Sequence, residues 1–100
     1  MNDKQEAALD QVEEGRLLPG ERPDSQHPDD ALHWAEVYRE LRTFKEETID
    51  RVLQELVKLG DVARYEIEST DLVVLRSERD RFQRRAEFWR NRYRTLTGKP

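Results

Sequence analysis

The side chains of this chain that could ligate a metal or move a proton are His27, His33 and a group of carboxylates at Glu46, Glu47 and Asp50. The histidines stand six positions apart, whereas two imidazoles share a helical face at i and i+4, and the chain has no cysteine to complete a site. The carboxylates lack the Glu-x-x-His element of carboxylate-bridged metal bundles. No glycine-rich phosphate loop, serine nucleophile elbow or dinucleotide fingerprint occurs. The expectation is a protein that is not an enzyme, with no catalytic residue, cofactor, metal or small-molecule substrate.

A denser constellation lies near the C-terminus. Arg81, Arg84, Arg85, Arg90, Arg92 and Arg94 interleave with Phe82, Phe88, Trp89 and Tyr93. Guanidinium groups neutralise phosphates and aromatic rings stack on bases, so direct nucleic-acid contact is one reading. Helical spacing alone accounts for Phe82, Trp89 and Tyr93 as packing residues, which leaves Phe88 as the aromatic free to stack. A pI near 5.3 also speaks against a nucleic-acid footprint.

The element that positions these groups runs from Leu72 to Leu96. Leu72, Leu75, Arg79, Phe82, Ala86, Trp89, Tyr93 and Leu96 recur at steps of three and four, the pattern of a helix packed along one seam. Upstream, Pro28 followed by Asp29 and Asp30 marks a helix start, because proline at the first helical position needs no amide partner and carboxylates favour the first turn. A wide apolar stripe follows through Trp34, Tyr38, Leu41, Phe44, Ile49, Leu53 and Leu59, and a stripe of that width faces more than one neighbour. Gly60 is read as a left-handed cap that ends this helix, with Asp61 opening the next. Ser69, Thr70 and Asp71 predict a kink or fresh start within the second helix.

The fold class expected is all-α: an antiparallel, coiled-coil-like two-helix hairpin with helices of about 28–59 and 61–97, preceded by a disordered acidic arm over residues 1–27. Within the arm, a short frayed helix through Ala7, Leu9 and Val12 is conceivable, and Leu17 and Leu18 are its only docking residues. Folding back at Gly60 brings Glu36 level with Arg85, Glu40 with Arg81 and Tyr38 with Phe82. Charge supports this arrangement. Residues 1–74 hold 9 Lys and Arg against 19 Asp and Glu, and residues 75–100 hold 9 against 3.

Two helices cannot enclose a core, so a second copy is expected to complete a four-helix bundle. The function expected is a small interaction protein, an adaptor or regulator, working as a homodimer or with another protein. Its interface residues would be Trp34, Tyr38, Leu41, Phe44, Ile49, Leu53, Phe88 and Trp89, since aromatic residues dominate interface energetics. No apolar run approaches the roughly 20 residues of a membrane span and no signal-peptide pattern opens the chain, which favours a cytoplasmic protein with no membrane partner. Arginine outnumbers lysine 14 to 4, a bias expected of a high-GC bacterial genome.

Overall fold

The computed structural model describes residues 16–98, so the expected helix through Ala7, Leu9 and Val12 lies outside the described residues. The described residues form helices and turns with no strand: α1 (Pro28–Leu56), α2 (Asp61–Ser69) and α3 (Asp71–Thr97).

The start of α1 follows from Pro28. His27 is extended, at φ −95° and ψ 118°, as a residue before proline prefers. Its carbonyl accepts the amides of Asp30 and Ala31 at 3.1 and 3.4 Å, closing the first turn. From there Ala31, Tyr38, Ile49 and Leu56 are buried at intervals of seven and eleven, which places them on one face of a 3.6-residue repeat.

The end of α1 departs from expectation. The helix stops at Leu56, and Lys58 and Leu59 bond back three residues to the carbonyls of Glu55 and Leu56, both at 3.1 Å, tightening the chain into a turn. Gly60 is not left-handed. At φ −71° and ψ 167° it is extended and precedes α2, its carbonyl accepting the Arg64 amide at 3.0 Å. The turn before it has already satisfied the carbonyls that a left-handed cap would serve. Such a cap occurs instead at Gly98, φ 69°, whose amide bonds the Arg94 carbonyl at 2.7 Å and ends α3.

The break predicted near Ser69 falls at Thr70, which leaves helical geometry at φ −122° and ψ −79°. The hydroxyls of Ser69 and Thr70 each donate at 2.6 Å to carbonyls four residues back, on Tyr65 and Glu66. They thus serve the last carbonyls of α2, a local alternative to continuing the helix.

The seam on α3 lies inward throughout. Leu72, Phe82, Ala86 and Trp89 are buried, and Leu75, Arg79, Tyr93 and Leu96 are half-buried. Contacts between α1 and α3 include the Tyr38 and Phe82 rings at 6.0 Å, an Arg42–Gln83 hydrogen bond at 2.7 Å, and a Lys45–Glu78 ion pair at 3.3 Å. Their apolar contacts form two clusters, one around Ala31, Tyr38, Phe82, Ala86 and Trp89 and one around Ile49, Leu56 and Leu72. Arg42 and Lys45 on α1 and Glu78 and Arg79 on α3 lie between the two in sequence.

The described part of the arm is ordered against the helices, which corrects the expectation of disorder across residues 1–27. Leu18 packs on the first cluster, and Glu21 is buried. The reason is polar rather than apolar, since the segment is secured chiefly through one carboxylate.

Candidate interaction site

Three side chains from the long helices converge on that carboxylate. Tyr38 on α1 donates its hydroxyl to Glu21 Oε1, and on α3 Arg85 Nη2 and Trp89 Nε1 donate to Oε2 at 2.7 and 2.8 Å. A fourth donor is local: the Leu18 amide bonds Oε1 at 3.0 Å, closing a turn through Pro19 and Gly20. Gly20 has φ 85°, a conformation that favours glycine. Four residues downstream, the Ser25 carbonyl accepts both Arg92 Nε and Nη2, at 3.2 and 3.0 Å.

The Glu21 side chain has no exposed surface and that of Arg85 is 8% exposed. Burial alone would raise the Glu21 carboxyl, but the hydrogen bonds from Arg85, Tyr38, Trp89 and Leu18 outweigh it and hold the group below its ordinary 4.5. Burial pushes the Tyr38 hydroxyl the other way, and the facing Glu21 carboxylate adds to it, up to about 12. The Arg85 guanidinium also lies 4.5 Å from the Phe88 ring centroid and 5.8 Å from that of Tyr38. At neutral pH the site is an ionised carboxylate held by a guanidinium, a phenol and an indole. Among the described residues no group of His, Cys, Asp or Glu could hold a metal ion.

The residues singled out from the sequence separate into three groups. Tyr38, Ile49 and Trp89 lie in the interior of a single copy, and Trp34 and Leu41 pack half-buried on the first cluster. Phe44, Leu53 and Phe88 remain exposed. Of the arginines, Arg85 is buried and Arg92 is half-buried on Ser25, so both hold the N-terminal segment. Arg81 lies over the Phe82 ring at 4.7 Å, Arg94 bonds Asn91 at 3.2 Å, and Arg84 and Arg90 are exposed. The expected pairing of Arg85 with Glu36 does not form: Glu36 is exposed and meets Arg39 at 3.8 Å.

A second surface lies off the seam. No residue of α2 is buried, and Val62 and Tyr65 are 86% and 70% exposed. On the flanking helices and turn, Val57, Val73 and Val74 are exposed as well. His27 and His33 are exposed at the start of α1, where His33 stands edge-on to the Trp34 ring at 4.9 Å.

No protein family matches the chain, and no curated protein or solved structure shows significant similarity to it. None of the described helices is long and apolar enough to cross a membrane.

Proposed function

We propose that this chain is a small non-enzymatic interaction protein, an adaptor or regulator acting in the cytoplasm. On this reading it is an antiparallel helical hairpin that presents an apolar helical face to another protein surface, and a second copy that closes a four-helix bundle is the first such surface to test. The observation that carries it is the exposure of α2, where Val62 and Tyr65 stand in water on a helix of nine residues. A helix that short is marginal without tertiary packing, and clustered exposed apolar side chains mark contact surfaces. Phe44 and Leu53 on α1 are exposed apolar side chains as well.

The test is the mass in solution by light scattering over a concentration series. A mass near twice 12.0 kDa that falls to a single copy on combining Val62→Ser with Tyr65→Ser supports the self-associating form. A single copy at every concentration rejects that form. The face is then tested by cross-linking to partner proteins through a photoreactive residue at Tyr65, and the absence of any specific product rejects the interaction reading.

Nucleic-acid binding is the alternative, supported by Arg84, Arg90 and Arg94 on α3 and by the partly exposed Phe88. It is the weaker reading, because Arg85 and Arg92 are engaged by the N-terminal segment. Phosphate binding would weaken steeply with salt, and affinity that is unchanged between low and high salt rejects it.

A further inference from the structure

We infer that the groove between α1 and α3 occupied by Leu18 and Glu21 is a binding site for a peptide segment that carries leucine three residues before glutamate. Residues 17–25 are its resident, intramolecular occupant. This site is separate from the exposed face of α2 on which the proposed function rests.

The site is assembled without the segment. Tyr38, Arg85, Trp89 and Arg92 all project from the long helices, and those helices are joined independently of it by Arg42 with Gln83, Lys45 with Glu78, and the second apolar cluster. The segment adds no helix or strand of its own. Pro19, Arg22, Asp24 and Gln26 along it are exposed, and its attachments are the Leu18 side chain, the Glu21 carboxylate and the Ser25 carbonyl. Each is a feature that a peptide supplied in trans could reproduce, including the Leu18 amide that bonds its own glutamate.

The pocket also selects the occupant. If the segment leaves, a guanidinium, an indole N–H and a phenol that are now buried face one groove, and water or a neutral side chain replaces a carboxylate there poorly. The resident itself does not use every donor. Arg85 Nε is buried and has no hydrogen-bond partner among the described residues, while Nη2 alone reaches Oε2. Nε–H and Nη2–H form a parallel fork that matches the two oxygens of a carboxylate. Glu21 cannot present both oxygens to that fork, because Oε1 is taken by Tyr38 and Leu18. A peptide with the same leucine-to-glutamate spacing presents its carboxylate in the same way, so it competes with the segment by concentration.

The experiment uses the full chain and a fluorescein-labelled peptide with the sequence of residues 16–27. In the wild type the tethered segment competes at an effective concentration on the order of millimolar. The Glu21→Ala chain, checked for retained helical circular dichroism, is therefore expected to bind the peptide at least tenfold more tightly than wild type by fluorescence anisotropy. A peptide carrying Gln in place of Glu21 should bind neither, and adding Arg85→Ala to the Glu21→Ala chain should abolish binding. Equal affinity for wild type and Glu21→Ala, or equal binding of the Gln peptide, overturns the inference.

If Glu21→Ala loses its helical signal, the same question is put to the 15N-labelled wild type by amide hydrogen exchange. Exchange at Leu18 and Glu21 should accelerate with excess unlabelled peptide and not with the Gln peptide. An unchanged exchange rate overturns the inference.

Discussion

Glu21 and Arg85, 64 positions apart in the chain, share a 2.7 Å ion pair in which the carboxylate is fully buried and the guanidinium nearly so. A pair of this kind differs in energetic character from the exposed ion pairs elsewhere on the helices. Two charges have been removed from water, and removal of either partner strands the other.

Truncation of Glu21 should therefore be among the more damaging single changes to this fold. Glu21→Ala is expected to lower unfolding free energy by about 3–5 kcal/mol, the range for breaking a buried pair. Arg85→Met combined with Glu21→Leu should be much less harmful than the sum of the two single changes. Urea denaturation of the four variants checks this, and strict additivity would show that the two residues are not coupled.

The same cluster predicts the pH limits of stability. Because the Glu21 carboxyl is held below 4.5 in the folded state, its contribution is present above about pH 4.5 and is lost as pH falls through the lower folded value. Tyr38 acts at the opposite end. Its hydroxyl ionises near 10 when unfolded and about 12 when folded, so stability should decline between those values, by roughly 2–3 kcal/mol in all. Denaturation midpoints measured at intervals from pH 3 to 12 should fall at both ends, and Tyr38→Phe should reduce the alkaline loss.

Leu72 is buried at the start of α3, within the second cluster with Ile49 and Leu56. Leu72→Ala is expected to reduce stability by about 2–5 kcal/mol. Thermal unfolding followed by circular dichroism checks it, and an effect under about 0.5 kcal/mol would place Leu72 at the surface.

Glu36 should behave as an ordinary surface residue. It faces solvent two positions from the fully buried Tyr38, on the opposite side of α1. Glu36→Ala should change stability by no more than about 0.5 kcal/mol. Glu36→Arg should fail to rescue Arg85→Glu, and measurable coupling in that double-mutant cycle would reinstate the pairing read from the sequence.

That pairing shows where the sequence was legible and where it was not. The seam from Leu72 to Leu96 could be read because burial on a helix repeats every three to four residues, and all eight positions lie inward. Pro28 fixes its own backbone and the hydroxyls near Ser69 bond to near neighbours, so local sequence revealed a helix start and a break. The contact of Tyr38 with Phe82 was expected from folding the chain back at Gly60, not from the repeat. Glu21 carries no such repeat. A lone glutamate between Gly20 and Arg22 in a proline-bearing stretch reads as solvated, and its burial depends on donors 17, 64 and 68 positions away. Leu18 beside it was the one local sign of docking. The α2 face is a different case: Val62 and Tyr65 lie off the seam, on a helix with no buried residue to give it a period.

The division of the apolar contacts into two clusters, with Lys45, Glu78 and Arg79 between them in sequence, bears on how the molecule opens. Charged side chains in that middle stretch transmit packing strain less rigidly than interlocked aliphatic and aromatic groups would. The end containing α2 can exchange its amide hydrogens through partial opening while Tyr38, Phe82 and Trp89 stay closed, giving two protection levels along one pair of helices. An event at Tyr65 and an event at Glu21 are then separate thermodynamic transactions, and the chain can respond to one without reporting it to the other.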